Sequence, residues 1–265
     1  MAGDAFGNRR FGDHMPVTFV SVEDAIGRSG LRMVVVGGVP SPWSEAAKGI
    51  LHIKNIDWVA VRLGYDDEAL RGWAGQRSGP IAIYDREPPR SGWAEVLLLA
   101  ERLAPTPSLL PADAGERATM FGLAHEICGE GGLGWVRRLQ MIHADAFGPR
   151  VSRYLGRKYG YTPATGAAAA ARAAALLRVL AARLEAQRTA GSPYYLGRAP
   201  TAVDVYSATF MGMFRPLPPR QCPMDEATRG AFTMPDAHTD AALAPVLLEH
   251  RDMMYARHLE LPLQL

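Results

Sequence analysis

The chain has 265 residues and 28.7 kDa, is 48% hydrophobic and 21% charged, and sets 29 basic against 27 acidic residues for a formal charge of +2. That near balance argues against a nucleic-acid or anionic-membrane surface. The longest uncharged run, 13 residues over 159–171, is shorter than the roughly 18 that a membrane-spanning helix needs. Cys128 and Cys222 are too few for a disulfide framework or a cysteine zinc site. Residues 1–15 mix Asp, Arg and Gly without an apolar centre, which reads as a loose tail and not as a secretory leader. The expectation is a cytoplasmic, reduced, soluble protein.

The organisation changes near residue 104. Residues 31–36 form a β-branched apolar run closed by Gly37 and Gly38, which predicts a buried strand ending in a turn. Ser41-Pro42 follows, a hydroxyl N-cap and a proline at the first helical position. Ala46, Ala47, Ile50, Leu51 and Lys54 then recur at helical spacing, and residues 58–63 read as a second strand. Strand, helix and strand over this length make a βαβ unit with parallel strands. A short helix is expected at 67–73, a third strand at 80–84, and an irregular return or edge strand at Pro88-Pro89. Residues 93–103 form an apolar helix that the Pro105 and Pro107 break ends. The domain boundary is placed there, giving an extension 1–30, an α/β domain 31–104 and a helical domain 108–265.

Beyond the break every periodic segment is helical. Helices are predicted at 114–127, 135–143, 150–158, 167–188, 202–214 and 241–258, with a glycine-rich interruption at 129–134 and a proline-rich one at 216–223. Thr201-Ala202-Val203-Asp204 has the form of a capping box. The string Gly129 to Gly134 matches G-x-G-x-x-G, but a helix precedes it where the dinucleotide fingerprint demands a strand, so it reads as a helix kink. No two of the seven histidines stand at i, i+4, so no metal site is expected. No G-x-S-x-G elbow is present. What remains is Ser41, where the first predicted strand hands over to a helix start. Free N–H groups at such a place attract an anion or a thiolate, although on the residues alone a plain N-cap role is the favoured account, since Ser is among the commonest N-caps.

This layout resembles the glutathione transferase superfamily, a thioredoxin-like α/β N-terminal domain followed by an all-α C-terminal domain. Ser41-Pro42-Trp43-Ser44 with Lys54-Asn55-Ile56-Asp57-Trp58 resembles the family's first helix, Ser78-Gly79-Pro80-Ile81 its cis-proline segment, and Ser91-Gly92-Trp93-Ala94 its acidic-Ser turn. Tyr195-Leu196-Gly197 through Asp204 is similar to its capping-box helix, so the resemblance spans about residues 31–215. It implies that Ser41 holds the glutathione sulfur as thiolate and that Gly79, before a cis Pro80, pairs with the cysteinyl backbone. Ser91 and the Gly92 N–H would meet the γ-glutamyl carboxylate, with Gln76 and Lys54 taking the remaining polar ends. Ser91-Gly92 departs from the family's acidic-Ser pair, which places one side-chain contact in doubt. Serine in place of cysteine at 41 argues against disulfide exchange, for which the enzyme must supply a sulfur.

The second substrate, an apolar and possibly aromatic electrophile, is expected between the domains against Trp43, Met120, Phe121, His125, Trp135, Met211 and Phe214, each of which also reads as ordinary core. The resemblance further implies glutathione as co-substrate and a homodimer, with no metal, nucleic acid or membrane. The competing reading is a catalytically silent member of the fold that serves as a binding or interaction module. The 1–30 extension, in which residues 20–26 are expected to form an extra turn over the sheet or the groove, favours that second reading.

Overall fold

The computed structural model describes residues 17–265, and the 1–15 tail lies outside them, with residue 16. Four strands, β1 (Phe19–Val20), β2 (Leu31–Val35), β3 (Trp58–Arg62) and β4 (Ile81–Tyr84), form one sheet in the order β1-β3-β2-β4. β1, β3 and β2 run parallel, and β4 pairs antiparallel with β2, setting Leu31 opposite Tyr84 and Val34 opposite Ile81. The βαβ unit is closed by α2 (Pro42–Ile53). Pro88-Pro89 is an irregular return touching the sheet by a single bridge, Ala82 to Arg90.

Strand β2 is buried on both faces, which is why it reads as a nearly continuous apolar run. Alternation along it divides the core. Leu31, Met33 and Val35 face α2 and α4 (Trp93–Leu103), while Val34 joins Val61, Ile81 and Ile83 on the other side. That second face is covered by Val22 and Ala25 of α1 (Val22–Ile26) and by Leu70 and Ala74 of α3 (Glu68–Ala74). The extension therefore adds an edge strand and a short helix over the sheet. Arg32, the polar exception in β2, donates from its two terminal nitrogens to the carbonyls of Gly30 and Asp85 at 3.0 and 2.8 Å, while its Nε is buried without a partner among the described residues.

The helical half comprises α5 (Ala114–Cys128), α6 (Leu133–His143), α7 (Pro149–Tyr159), α8 (Pro163–Thr189), α9 (Ala202–Phe210), α10 (Glu226–Phe232), α11 (Ala237–Ala242) and α12 (Pro245–Arg257). The G-x-G-x-x-G string is the break between α5 and α6, with Gly129 ending one helix and Gly132 opening the next. The single helix expected at 241–258 is instead two. Pro245 has no N–H to continue α11 and suits the first position of α12. The larger apolar cluster runs without interruption from β2, α2 and α4 into α5, α6, α8, α9 and α12, so the two halves share one core. Among the described residues no helix is long and apolar enough to cross a membrane.

Candidate functional site

The site begins at the turn from β2 into α2. Ser41 N–H donates to the Val39 carbonyl and the Ser41 carbonyl accepts from Glu45 N–H, each at 2.8 Å, and Pro42 takes the first helical position. The Ser41 side chain makes no capping hydrogen bond. Ser44 Oγ steadies the turn instead, accepting from Val36 N–H at 3.3 Å. Ser41 is thus an N-cap in backbone conformation only. Its hydroxyl makes no hydrogen bond among the described residues and sits, 7% exposed, at the positive end of a 12-residue helix.

Antiparallel pairing brings the start of β4 to the end of β2, and the Gly79–Pro80 bond before β4 is cis, as the resemblance implies. A Cβ on Gly79 would lie 3.3 Å from the Val34 carbonyl, which fixes this residue beside the end of β2, from which the chain turns towards Ser41. Ligands of open α/β sheets gather at such strand ends. The Ala82–Arg90 bridge sets Ser91 next to β4, so Pro80 and Ser91 line one small cleft together with Trp43. Gln76, half-buried, directly follows the Gly75 end of α3, three residues before Gly79.

Two expectations change here. Lys54 stands at the other end of α2, about 20 Å from Ser41 at 1.5 Å per residue. There it is buried and binds Glu101 at 2.8 Å and the Pro107 carbonyl at 2.7 Å, pinning the inter-domain break instead of reaching this edge. The Gly92 N–H is not free either. Glu95 of the same helix folds back, and its Oε2 accepts from Gly92 N–H at 2.8 Å and from Ser91 N–H at 3.2 Å. A carboxylate already occupies the anion-favouring start of α4.

The helical wall is aromatic. Trp43 donates from Nε1 to the Cys128 carbonyl at 2.9 Å and meets Phe210 edge-on, ring centres 4.9 Å apart. Tyr206 donates to the Trp93 carbonyl at 3.1 Å and packs edge-on against that indole at 5.6 Å. Gly134 permits this closeness, since a Cβ there would run into the Phe210 ring and lie 2.9 Å from Trp43. The cleft that remains holds about 10 Å³, space for about one water. Burial raises the Cys128 thiol well above its usual range and pushes Cys222 up to about 11, so neither supplies a thiolate near neutrality.

Of the residues expected to line the second-substrate space, Trp43 does so and Phe121 lies behind it, 6.1 Å from Trp93. Met120, Met211 and Phe214 are fully packed core, Phe214 under the Arg137 guanidinium at 4.7 Å. His125 is exposed beside Gly129, and Trp135 is turned towards α7, its indole donating to the Tyr159 carbonyl at 3.1 Å. For two of these residues the cause is local. Met211 and Phe214 fall where the helix tightens to a 3₁₀ turn after Phe210, so they rotate off the face that Tyr206 and Phe210 present. That face is legible as an i, i+4 aromatic pair on the capping-box helix.

No protein-family model matches the sequence, and no curated protein matches it. Solved structures do. A glutathione S-transferase from Methylobacterium radiotolerans, in complex with glutathione sulfonate, superposes with a TM-score of 0.59 at 17% identity over 86% of this chain and 92% of that one. A glutathione transferase family member from Pseudomonas fluorescens with two glutathione bound gives 0.54 at 13% identity over 87% and 97%. The Tau class enzyme from mango, Mangifera indica, gives 0.52 at 17% over 85% and 98%. The chain therefore has the glutathione transferase fold, a thioredoxin-like half followed by a helical half.

Proposed function

We propose that the chain is a glutathione-dependent transferase in which Ser41 activates the thiol of glutathione for attack on an electrophile. The observation that carries this reading is the uncommitted Ser41 hydroxyl at the start of α2, beside the end of β2 where Gly79 and the cis Pro80 also lie. The Gly79 backbone pairs with the cysteinyl residue as an added strand would, bringing its sulfur towards Ser41. The hydroxyl donates to the sulfur, and the helix start favours negative charge there. Both favour thiolate over thiol, at about 1.4 kcal/mol for each unit by which the pKa falls. The thiolate then forms the carbon–sulfur bond as the leaving group departs with its electron pair, and the thiol proton passes to solvent. The fold's structural neighbours with glutathione or its sulfonate bound support the choice of co-substrate.

Two features of this chain shape binding. The γ-glutamyl carboxylate and Glu95 compete for the same N–H groups, so the ligand takes them only as Glu95 turns outward, with Ser91 Oγ as the remaining side-chain donor. The closed cleft requires Trp43 or Trp93 to swing aside before an acceptor enters. The reading extends to a cytoplasmic homodimer acting on small molecules, with domains meeting at residues 104–108. Calorimetric titration of glutathione into wild type and Ser41→Ala, with the ultraviolet thiolate band followed against pH, tests it. Saturable binding with a lowered thiol pKa in wild type and a restored one in the mutant is the expected result. No binding at millimolar glutathione overturns it and leaves a fold recruited for partner recognition.

A further inference from the structure

Two adjacent arginines in α6 are buried and have different fates. Arg137 is fully satisfied, donating to the Met213 carbonyl at 3.0 Å, Gln140 Oε1 at 2.8 Å and the Phe232 carbonyl at 3.4 Å. Arg138 is 9% exposed, and no carboxylate pairs with it among the described residues. Its contacts are the Met141 sulfur at 3.9 Å, the rings of Phe147 and Phe232 at 5.9 and 5.2 Å, and the Tyr159 hydroxyl. A guanidinium has five donors in a planar fork, and burying one without an anion is costly.

The cation does not stand alone. Lys158, at the end of α7, donates to Ser78 Oγ at 2.7 Å, and its ammonium lies 5.5 Å from the Tyr159 ring. Burial together with the charge of Arg138 lowers that ammonium to about 8, although the residue as a whole stays exposed. Glu68 pairs with Arg71 and Arg77, and Asp66, almost fully exposed, lies 3.9 Å from Arg150. Two like charges on α6 and α7, with no carboxylate paired to either among the described residues, form an arrangement that a bound anion relieves. The corner adjoins the reacting centre. Ser78 precedes Gly79, and the Tyr159 ring lies 6.2 Å from Trp43 and 4.8 Å from Trp135. Tyr154, one turn before Lys158, reaches the Arg77 carbonyl at 3.4 Å, so one face of α7 is clasped to the loop that carries Gly79.

We propose that Arg138, Lys158 and the Tyr159 hydroxyl form a carboxylate subsite, and that the acceptor substrate is an aromatic carboxylate whose ring lies in the cleft against Trp43. The word acceptor rests on the transferase reading; the subsite does not. Its cations belong to the helical half, on α6 and α7, which favours the acceptor over the glycyl end of glutathione as the source of the carboxylate.

The experiment titrates naphthoate and its uncharged isostere naphthamide into wild type, Arg138→Met, Arg138→Lys and Lys158→Met by calorimetry, with glutathione titrated in parallel. Wild type is expected to prefer the acid by about tenfold, as a charge-assisted pair supports. The preference falls to parity in Arg138→Met, is partly kept in Arg138→Lys, and is reduced in Lys158→Met. Equal binding of acid and amide by wild type overturns the subsite, as does a preference that survives in both methionine variants. If Arg138→Met does not fold by thermal unfolding, Lys158→Met on the exposed side of α7 decides the question. Preferred binding of naphthoate together with failure of glutathione to bind at millimolar concentration keeps the subsite and removes the transferase reading. Weakened glutathione with unchanged naphthoate in Arg138→Met assigns the carboxylate to glutathione and overturns the acceptor.

Discussion

Two helix starts in this molecule look alike in sequence and differ in what surrounds them. At α9 the Asp204 carboxylate is saturated. Oδ2 accepts from Thr201 N–H at 2.8 Å and from its hydroxyl at 2.9 Å, while Oδ1 accepts from Tyr195 N–H at 2.9 Å and binds His250 Nε2 at 3.0 Å. Each of these residues is buried, and His250 comes from α12, so the cap ties three segments of the helical half together. At α2 the equivalent position is occupied by Ser41, whose hydroxyl closes nothing. A saturated helix start is architecture, whereas an open one beside a strand end is a place where a ligand can complete the hydrogen bonding.

Replacing Asp204 with Ala attacks the saturated start and has the largest expected effect, a loss of about 3–5 kcal/mol, because it strands buried donors as well as removing a charge. Chemical denaturation measures it, and a loss under 1 kcal/mol would refute the account of α9. Ser41→Ala attacks the open start. Its expected signature is a roughly hundredfold loss of conjugation rate with a stability change below about 0.5 kcal/mol. A stability loss of about 1 kcal/mol, normal for a working serine cap, would show that the hydroxyl serves the helix instead.

Gly134→Ala sharpens the comparison from the opposing wall. It pushes on Phe210 and Trp43 and is expected to cost about 1–3 kcal/mol, with a change in tryptophan fluorescence as the Trp43 indole shifts. The smallest effect belongs to the start of α4, which lies between the two extremes. Glu95→Gln weakens its cap by about 0.5–1 kcal/mol but removes a negative charge from the ligand position. Glutathione affinity by calorimetry should therefore rise, and unchanged or weaker binding would separate Glu95 from the γ-glutamyl site.

Much of the fold was legible because it follows local pattern. The apolar helix 93–103 matches its observed bounds, Asp67 caps α3 from the residue where the short helix was expected to start, and the strand at 31–36 differs from Leu31–Val35 by one residue. The elements that escaped are those with weak local signals. β1 has only two residues and exists through its pairing with β3, and α10 is a single short amphipathic stretch capped by Asp225 after a proline-rich segment. The candidate site was legible in part. Motif order singles out Ser41, Gly79, Pro80 and Ser91, and the fold sets Pro80, Ser91 and Trp43 around one cleft, with Gly79 beside the neighbouring end of β2. Motif resemblance offers Lys54 although it stands thirteen residues after Ser41, and the tertiary structure commits it to Glu101 and the Pro107 carbonyl. Arg138 was missed because nothing in two adjacent arginines says which will find a partner.

The sequence by itself determined the elements and their order, since strand alternation, helical spacing, caps and prolines act within a few residues and need no distant partner. Tertiary structure decided which helix start is filled and which is open, that Glu95 covers the N–H groups of Ser91 and Gly92, and that Arg138 is buried with no carboxylate paired to it among the described residues. Those outcomes depend on residues tens of positions apart in the chain. The free energy of a buried hydrogen bond or charge is set by the atoms that reach it, and only the folded chain specifies those atoms.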